Sequence, residues 1–310
     1  MRYTDLSHIY KSLLFAVFLF LAPFSAISYA SSQLKIVVTT SVLKDTLQNI
    51  VGPEAEIISL MGPGVDPHAY KATLKNMRDL NNADIIFYHG LHLEGKMADV
   101  LTEMSRSKPV YAVSNAIDPS QYIGDCKATA AIDPHIWFDI QLWKQVVRYI
   151  STQIQSIHPA EATKYQTHTT AYLEVLETLH QEITALIQTI PQHQRILITA
   201  HDAFSYFGRA YDIQVKSLQG ISTVEECGLR DITNLVDYIV YHKIKAIFPE
   251  NSVPMQALKA VVEGCKHKGH TVILGPPELY SDALGEAGTL EATYAGMVLS
   301  NVNNIVNALR

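Results

Sequence analysis

The chain has 310 residues, 48% hydrophobic and 17% charged, with 24 Lys and Arg against 30 Asp and Glu for a formal net charge of −6. That balance excludes a nucleic-acid binder, which relies on clustered cations to neutralise phosphates; the longest basic cluster, KHKGH at 266–270, reads as a solvated helix end and loop. The length exceeds what one core usually organises, so two lobes are expected.

The first element is an export signal. Arg2 and Lys11 precede the apolar run Leu13–Ala22, and Ser28-Tyr29-Ala30 supplies small residues for cleavage after Ala30. The run is shorter than the roughly 20 residues a membrane span needs, although an uncleaved anchor is the competing reading. No cysteine lies near Ser31 to carry a lipid, so a soluble, periplasmic protein is expected. Three cysteines in an exported chain allow one disulfide. Cys227 with Cys265 is the expected pair, both falling in the second half, with Cys126 a loop thiol.

From residue 35 onward short β-rich runs alternate with helical patterns: KIVVTTS at 35–41, EIISLMG at 56–62, DIIFYHG at 84–90 and PVYAV at 109–113. The rhythm resumes with RILITAH at 195–201, VKSLQG at 215–220, AIFPENS at 246–252 and TVILGPP at 271–277. Strands alternating with helices imply parallel sheets covered on both faces, here in two sets. Between them Tyr165, Tyr172, Leu176, Leu179, Ile183, Leu186 and Ile190 repeat at spacings of three, four or seven, between Pro159 at a first helical turn and Pro191 at the end. The fold class is therefore α/β, two parallel-sheet lobes joined by one long rigid helix. The expected boundaries are a signal at 1–30, a first lobe at 31–158, a connecting helix at 159–190 and a second lobe at 191–310.

The tripeptide Asp-Pro-His occurs twice, in GPGVDPHAY at 62–70 and AIDPHIWFD at 131–139. Each copy places its histidine, His68 or His135, on a loop leading into a helical pattern, where open α/β lobes gather ligands. Proline stiffens each approach, and Asp66 or Asp133, two residues earlier, is placed to hold the imidazole N–H or to cap the loop. His201 ends the strongest strand of the second set with Asp202 beside it, and Asp282 follows the last strand. Three imidazoles and a carboxylate converging on the cleft would make a nitrogen-rich site suited to Zn²⁺, and acceptably to Mn²⁺ or Fe²⁺. Taken singly, Asp282 reads as a helix cap and Asp202 as a partner of nearby backbone. The remaining histidines read as satisfied polar residues, His168 and His180 as solvated positions on the connecting helix.

LMGPGVDPHAY, DPHIWFD, TAHDAFSYFGRAY and LYSDALGEAGT, in this order, closely resemble the metal-binding solute-binding proteins of ABC importers, the TroA/ZnuA group and its TroA branch in particular. The resemblance spans essentially the whole mature chain. It implies one metal ion held between two α/β lobes, with His68, His135, His201 and Asp282 as ligands, and delivery to a membrane permease driven by an ATPase. It also puts Glu250, in IFPENS, at an acidic position near the cleft. Zinc-dedicated members often carry a His-rich loop before the second histidine motif, whereas SQYIGDCKATAAI at 120–132 has no histidine. Manganese members usually carry glutamate where this chain has His201. The expectation is a monomeric, non-enzymatic binding protein for one Zn²⁺ or Mn²⁺ per chain. The alternatives are a secreted zinc hydrolase, which would need an open coordination position and a general base, and a surface adhesin stabilised by metal.

Overall fold

The computed structural model describes residues 33–124, 132–225, 227–275 and 278–310. The signal segment at 1–30 and Cys126 lie outside the described residues.

Strands β1 (Lys35–Val38), β2 (Glu56–Ser59), β3 (Ile85–Tyr88) and β4 (Val110–Ala112) form one parallel sheet in the order β2-β1-β3-β4. Apart from Lys35 at the start of β1, its middle strands are apolar or aromatic because both faces are covered, as parallel strands require. The second set repeats the plan. β5 (Ile196–Thr199) pairs with β6 (Gln214–Ser217), and β7 (Ala246–Ile247) with β8 (Ile273–Leu274), all parallel. A parallel bridge between Thr199 and Phe248 joins the pairs, giving the order β6-β5-β7-β8. In the first sheet the strands are shorter than their apolar runs, whose last residues lead into loops at the C-terminal edge; β5 does the same at Ala200 and His201. Those loops carry the site.

Helices α1 (Ser41–Val51), α2 (Leu74–Asn82) and α3 (Ala98–Met104) cover the first sheet, and α4 (Ile140–Ile157) follows it. Their starts are written locally. Thr40 accepts from Leu43 N, Thr73 and Asn76 form a reciprocal capping box, and Asp139 accepts from Gln141 N and Leu142 N. A single turn at Pro159–Glu161 then leads into α5 (Ala162–Gln188), 27 residues and so about 40 Å long. Tyr165, Thr169, Tyr172, Leu176, Leu179, Ile183 and Ile187 form its buried stripe. Leu186 is only half-buried, since Ile187 takes the inward position on the last turn.

Helices α6 (Ser205–Tyr211), α7 (Leu229–His242) and α8 (Gln256–His267) cover the second sheet, and α9 (Tyr294–Leu309) closes the chain. α5 packs against α1, α4 and α9. The connecting helix is thus clamped along its length by elements from both ends of the sequence. Met297, Val298, Val302 and Ile305 of α9 share one core with Val42, Leu43 and Leu47 of α1. Residues 34–310 form one compact unit, and among the described residues no helix is long and apolar enough to cross a membrane.

Two expectations are corrected here. His168 and His180 are half-buried and bonded rather than solvated: His168 Nδ1 donates to Ile50 O at 3.2 Å, and His180 Nδ1 lies 3.0 Å from Tyr211 Oη. On a clamped helix, flanking polar side chains are drawn into the seams. Cys227 and Cys265 are free thiols, not a disulfide. Cys265 is buried in the second core beside Leu258 and Val261, and Cys227 packs on the edge of that core, so apolar contact takes up both sulfurs.

Candidate metal centre

Each of His68, His135, His201 and Asp282 sits just beyond the end of a strand or on a loop of the same edge, and each is buried. Their fixation differs from one to the next. Asp133 Oδ1 accepts from both His135 N (2.9 Å) and His135 Nδ1 (2.7 Å). Glu250 holds His201 in the same bifold way, Oε1 accepting from the backbone N at 2.9 Å and Oε2 from Nδ1 at 2.5 Å. A carboxylate only accepts at neutral pH, so both rings carry hydrogen on Nδ1 and turn Nε2 inward, where its lone pair is free once the ring is neutral. Asp66 Oδ1 accepts only backbone bonds, from His68 N at 2.8 Å and Ala69 N at 3.4 Å. It caps the loop and leaves the imidazole alone.

The inward atoms converge. His135 Nε2 lies 3.3 Å from His68 Nε2 and 3.3 Å from His201 Nε2. Asp282 places Oδ1 3.3 Å from His135 Nε2 and Oδ2 3.5 Å from His201 Nε2. Ligand atoms of all four residues lie within 4.8 Å of one another, and no other such group is found among the described residues. Zinc–nitrogen bonds of about 2.0–2.1 Å in a tetrahedron require edges of roughly 3.3–3.4 Å, the spacing His135 Nε2 shows to His68 Nε2, His201 Nε2 and Asp282 Oδ1. Ser252 Oγ donates to Asp282 Oδ2 at 3.0 Å, whereas the buried Oδ1 has no donor in hydrogen-bonding geometry. An orphaned buried carboxylate oxygen costs free energy unless a cation meets it.

The charges around the cluster reinforce this. Burial lowers His68 to a pKa of about 3, so its ring stays neutral. Burial also pushes His135 down, but the Asp133 and Asp282 carboxylates prevail and raise it to about 9. Glu250 and Asp282 likewise outweigh burial at His201 and hold it well above the ordinary histidine range. Asp282 is held well below the ordinary carboxylate range by the three imidazoles despite its burial. The pocket attracts positive charge, and a metal dication would enter by displacing protons.

The walls came from residues that spacing did not single out. Trp137 packs its indole edge-on to His135 at 5.1 Å between centroids, and its Nε1 donates to Ser281 O at 3.1 Å, tying the Asp282 loop to the His135 loop. Tyr206 Oη donates to Asp133 O at 3.0 Å. Ser252 had a faint signal, lying two residues after Glu250; Trp137 and Tyr206 stand inside the motifs DPHIWFD and TAHDAFSYFGRAY, but nothing in their spacing marked them. Asp202 Oδ1 accepts from Ser205 Oγ (2.7 Å) at the start of α6 and, among the described residues, makes no hydrogen bond to a ligand. A cleft of about 660 Å³, lined by His92, Lys96, Asp202, Ser222 and Glu225 among others, reaches the cluster at His68.

Comparison with known proteins gives concordant results. The family model described as "Zinc-uptake complex component A periplasmic" matches residues 36–308. The manganese-binding lipoprotein MntA of Bacillus subtilis is 46% identical over 92% of this chain and 93% of its own length. The zinc-binding protein TroA of Treponema pallidum is 41% identical over 88% of each. The solved structure of periplasmic zinc-binding TroA from Treponema pallidum superposes with a TM-score of 0.87, covering 89% of this chain and 99% of that one at 40% identity.

Proposed function

We propose, since this chain belongs to the family of zinc-uptake complex component A and is a substrate-binding protein of metal ABC importers, that it captures one divalent ion between His68, His135, His201 and Asp282 and hands it to a membrane permease. The observation that carries the assignment of those four residues is the buried convergence of three Nε2 atoms with a carboxylate oxygen that has no donor. Asp133 and Glu250 orient two of the rings, and the ion replaces the protons those rings hold.

Three imidazoles favour Zn²⁺ on affinity; Mn²⁺ is the next cargo in this reading and Fe²⁺ is also admissible, since delivery depends on which metal is available as well as on affinity. Relatives named for zinc and for manganese both stand within a few per cent of identity, which supports the same pair of cargoes. Asp282 faces two different imidazoles with its two oxygens, so it can bind through one or both and serve either a four- or a five-coordinate ion.

The partners of this reading are the permease and, through it, an ATPase, with the binding protein acting as an exported monomer. The division into lobes at 31–158 and 191–310 about a connecting segment at 159–190 belongs to the same proposal, supported by the two equivalent sheets and the long helix between them. Some relatives are named lipoproteins, which is at odds with the expectation of export without a lipid anchor; that expectation is supported by the lack of a cysteine near Ser31 alone. Membership in a transport family does not favour the hydrolase or adhesin alternatives.

The test is elemental mass spectrometry on untagged protein purified from its own compartment. Close to one zinc or manganese per chain, lost in both His68→Ala and His201→Ala, is the expected result. A metal-free wild type, or variants that retain the ion, would overturn the assignment.

A further inference from the structure

The two Asp-Pro-His copies are spelled alike and wired differently. Asp133 spends one oxygen on both the backbone and the ring of His135. Asp66 spends Oδ1 on the backbone of its own loop and turns Oδ2 across the cleft, where it accepts from Thr223 Oγ1 at 2.6 Å. Thr223 lies 157 residues away, in the segment after β6 that also carries the cleft-lining Ser222 and Glu225. His135 and His201 each have a carboxylate on Nδ1, whereas among the described residues no hydrogen bond ties the His68 ring to one; its bond to Asp66 is through the backbone N alone. His68 is also the member of the cluster that borders the cleft. Its position is set at second hand, through Asp66 and the backbone, and the far end of that chain of contacts is Thr223.

We propose that Thr223 is a positioning residue for the cargo: a cross-cleft latch that holds the His68 loop against the ion and sets the rate of release. The inference rests on reading His68 as a ligand. While the bond is made, a carboxylate fixed at both ends holds the loop closed. When it breaks, Asp66 still caps the loop, but among the described residues no other hydrogen bond from the opposite wall restrains that carboxylate. His68 is then the first ligand to leave, and the ion is exposed on the side where the cleft opens. His135, His201 and Asp282 keep their own supports and retain the ion until the loop has moved.

The experiment is stopped-flow capture of Zn²⁺ by a colorimetric chelator from zinc-loaded protein. A hydrogen bond to a carboxylate is worth enough that Thr223→Val should release zinc about tenfold faster. Thr223→Ser keeps the hydroxyl and should fall within about twofold of wild type, by the same reasoning. In an Asp66→Ala background Thr223→Val should add no further acceleration, since coupled residues are non-additive. The metal-free unfolding midpoints of the Val and Ser variants should coincide. Zinc-loaded wild type with unchanged release in Thr223→Val overturns the latch and leaves the site intact. Release from Thr223→Ser as fast as from Thr223→Val overturns the latch as well. A wild type that holds no zinc overturns the ligand reading, and the latch with it.

Discussion

Glu250 grips His201 twice, at the backbone N (2.9 Å) and at ring Nδ1 (2.5 Å), with both side chains fully buried. One residue thereby fixes where the ligand sits, which tautomer it adopts and how basic its free nitrogen is. Glu250→Gln retains an acceptor for one of the two bonds but removes the charge. Zinc affinity is expected to fall by about ten- to a hundredfold, the range found when such supporting partners are lost. Competition against a calibrated chelator reads this directly, and unchanged affinity would refute the role.

Affinity should depend on pH through an unusually high range. His135 ligates only as the neutral ring, yet in the metal-free pocket its pKa is raised to about 9 and that of His201 is also raised. A proton held below the raised pKa must be displaced by the ion, so affinity falls as pH falls and continues to rise up to about 9. His68, lowered to about 3, contributes no displaced proton at neutral pH. Unperturbed histidines would have placed the change near 6.5. Titration calorimetry at pH 7.5 in buffers of different ionisation enthalpy should report proton release on binding. Affinity that levels off above pH 7 would contradict the assignment.

Trp137→Phe separates packing from tethering. The ring is retained against His135, but Ser281 O loses the donor at 3.1 Å that ties the Asp282 loop down. A buried acceptor left unpaired costs about 1–3 kcal/mol. Denaturant unfolding of the metal-free protein should show that loss, and metal affinity should fall with it.

The connecting helix offers a paired test of the buried stripe. Leu176 is fully buried and Val175, one residue away, is 51% exposed. Leu176→Ala should destabilise the protein by about 2–5 kcal/mol through lost contact and a residual cavity, while Val175→Ala should stay within about 0.5 kcal/mol. Equal effects in chemical unfolding would mean that the stripe has been misplaced.

The parts of this protein legible in its sequence are those whose physics is local. Apolar alternation and helical spacing involve neighbours within a few residues, so the eight strands and the helix through Tyr165, Leu176 and Ile183 could be read directly. His68, His135, His201 and Asp282 were visible because each stands in a short loop motif at a strand or helix boundary, and the structure brings those four loops to one edge. Glu250 was legible only through likeness to other proteins. What depends on partners far away in the chain was closed to sequence reading. Asp66 and Asp133 occupy identical tripeptides, yet one reaches Thr223 and the other its own histidine, because the residue that the opposite wall presents to each copy is set by tertiary contacts. The expected Cys227–Cys265 bond failed for the same reason, since apolar packing decides where each sulfur lies. Which imidazoles hold protons was likewise decided in three dimensions, by carboxylates that the fold, and not the order of residues, sets beside them.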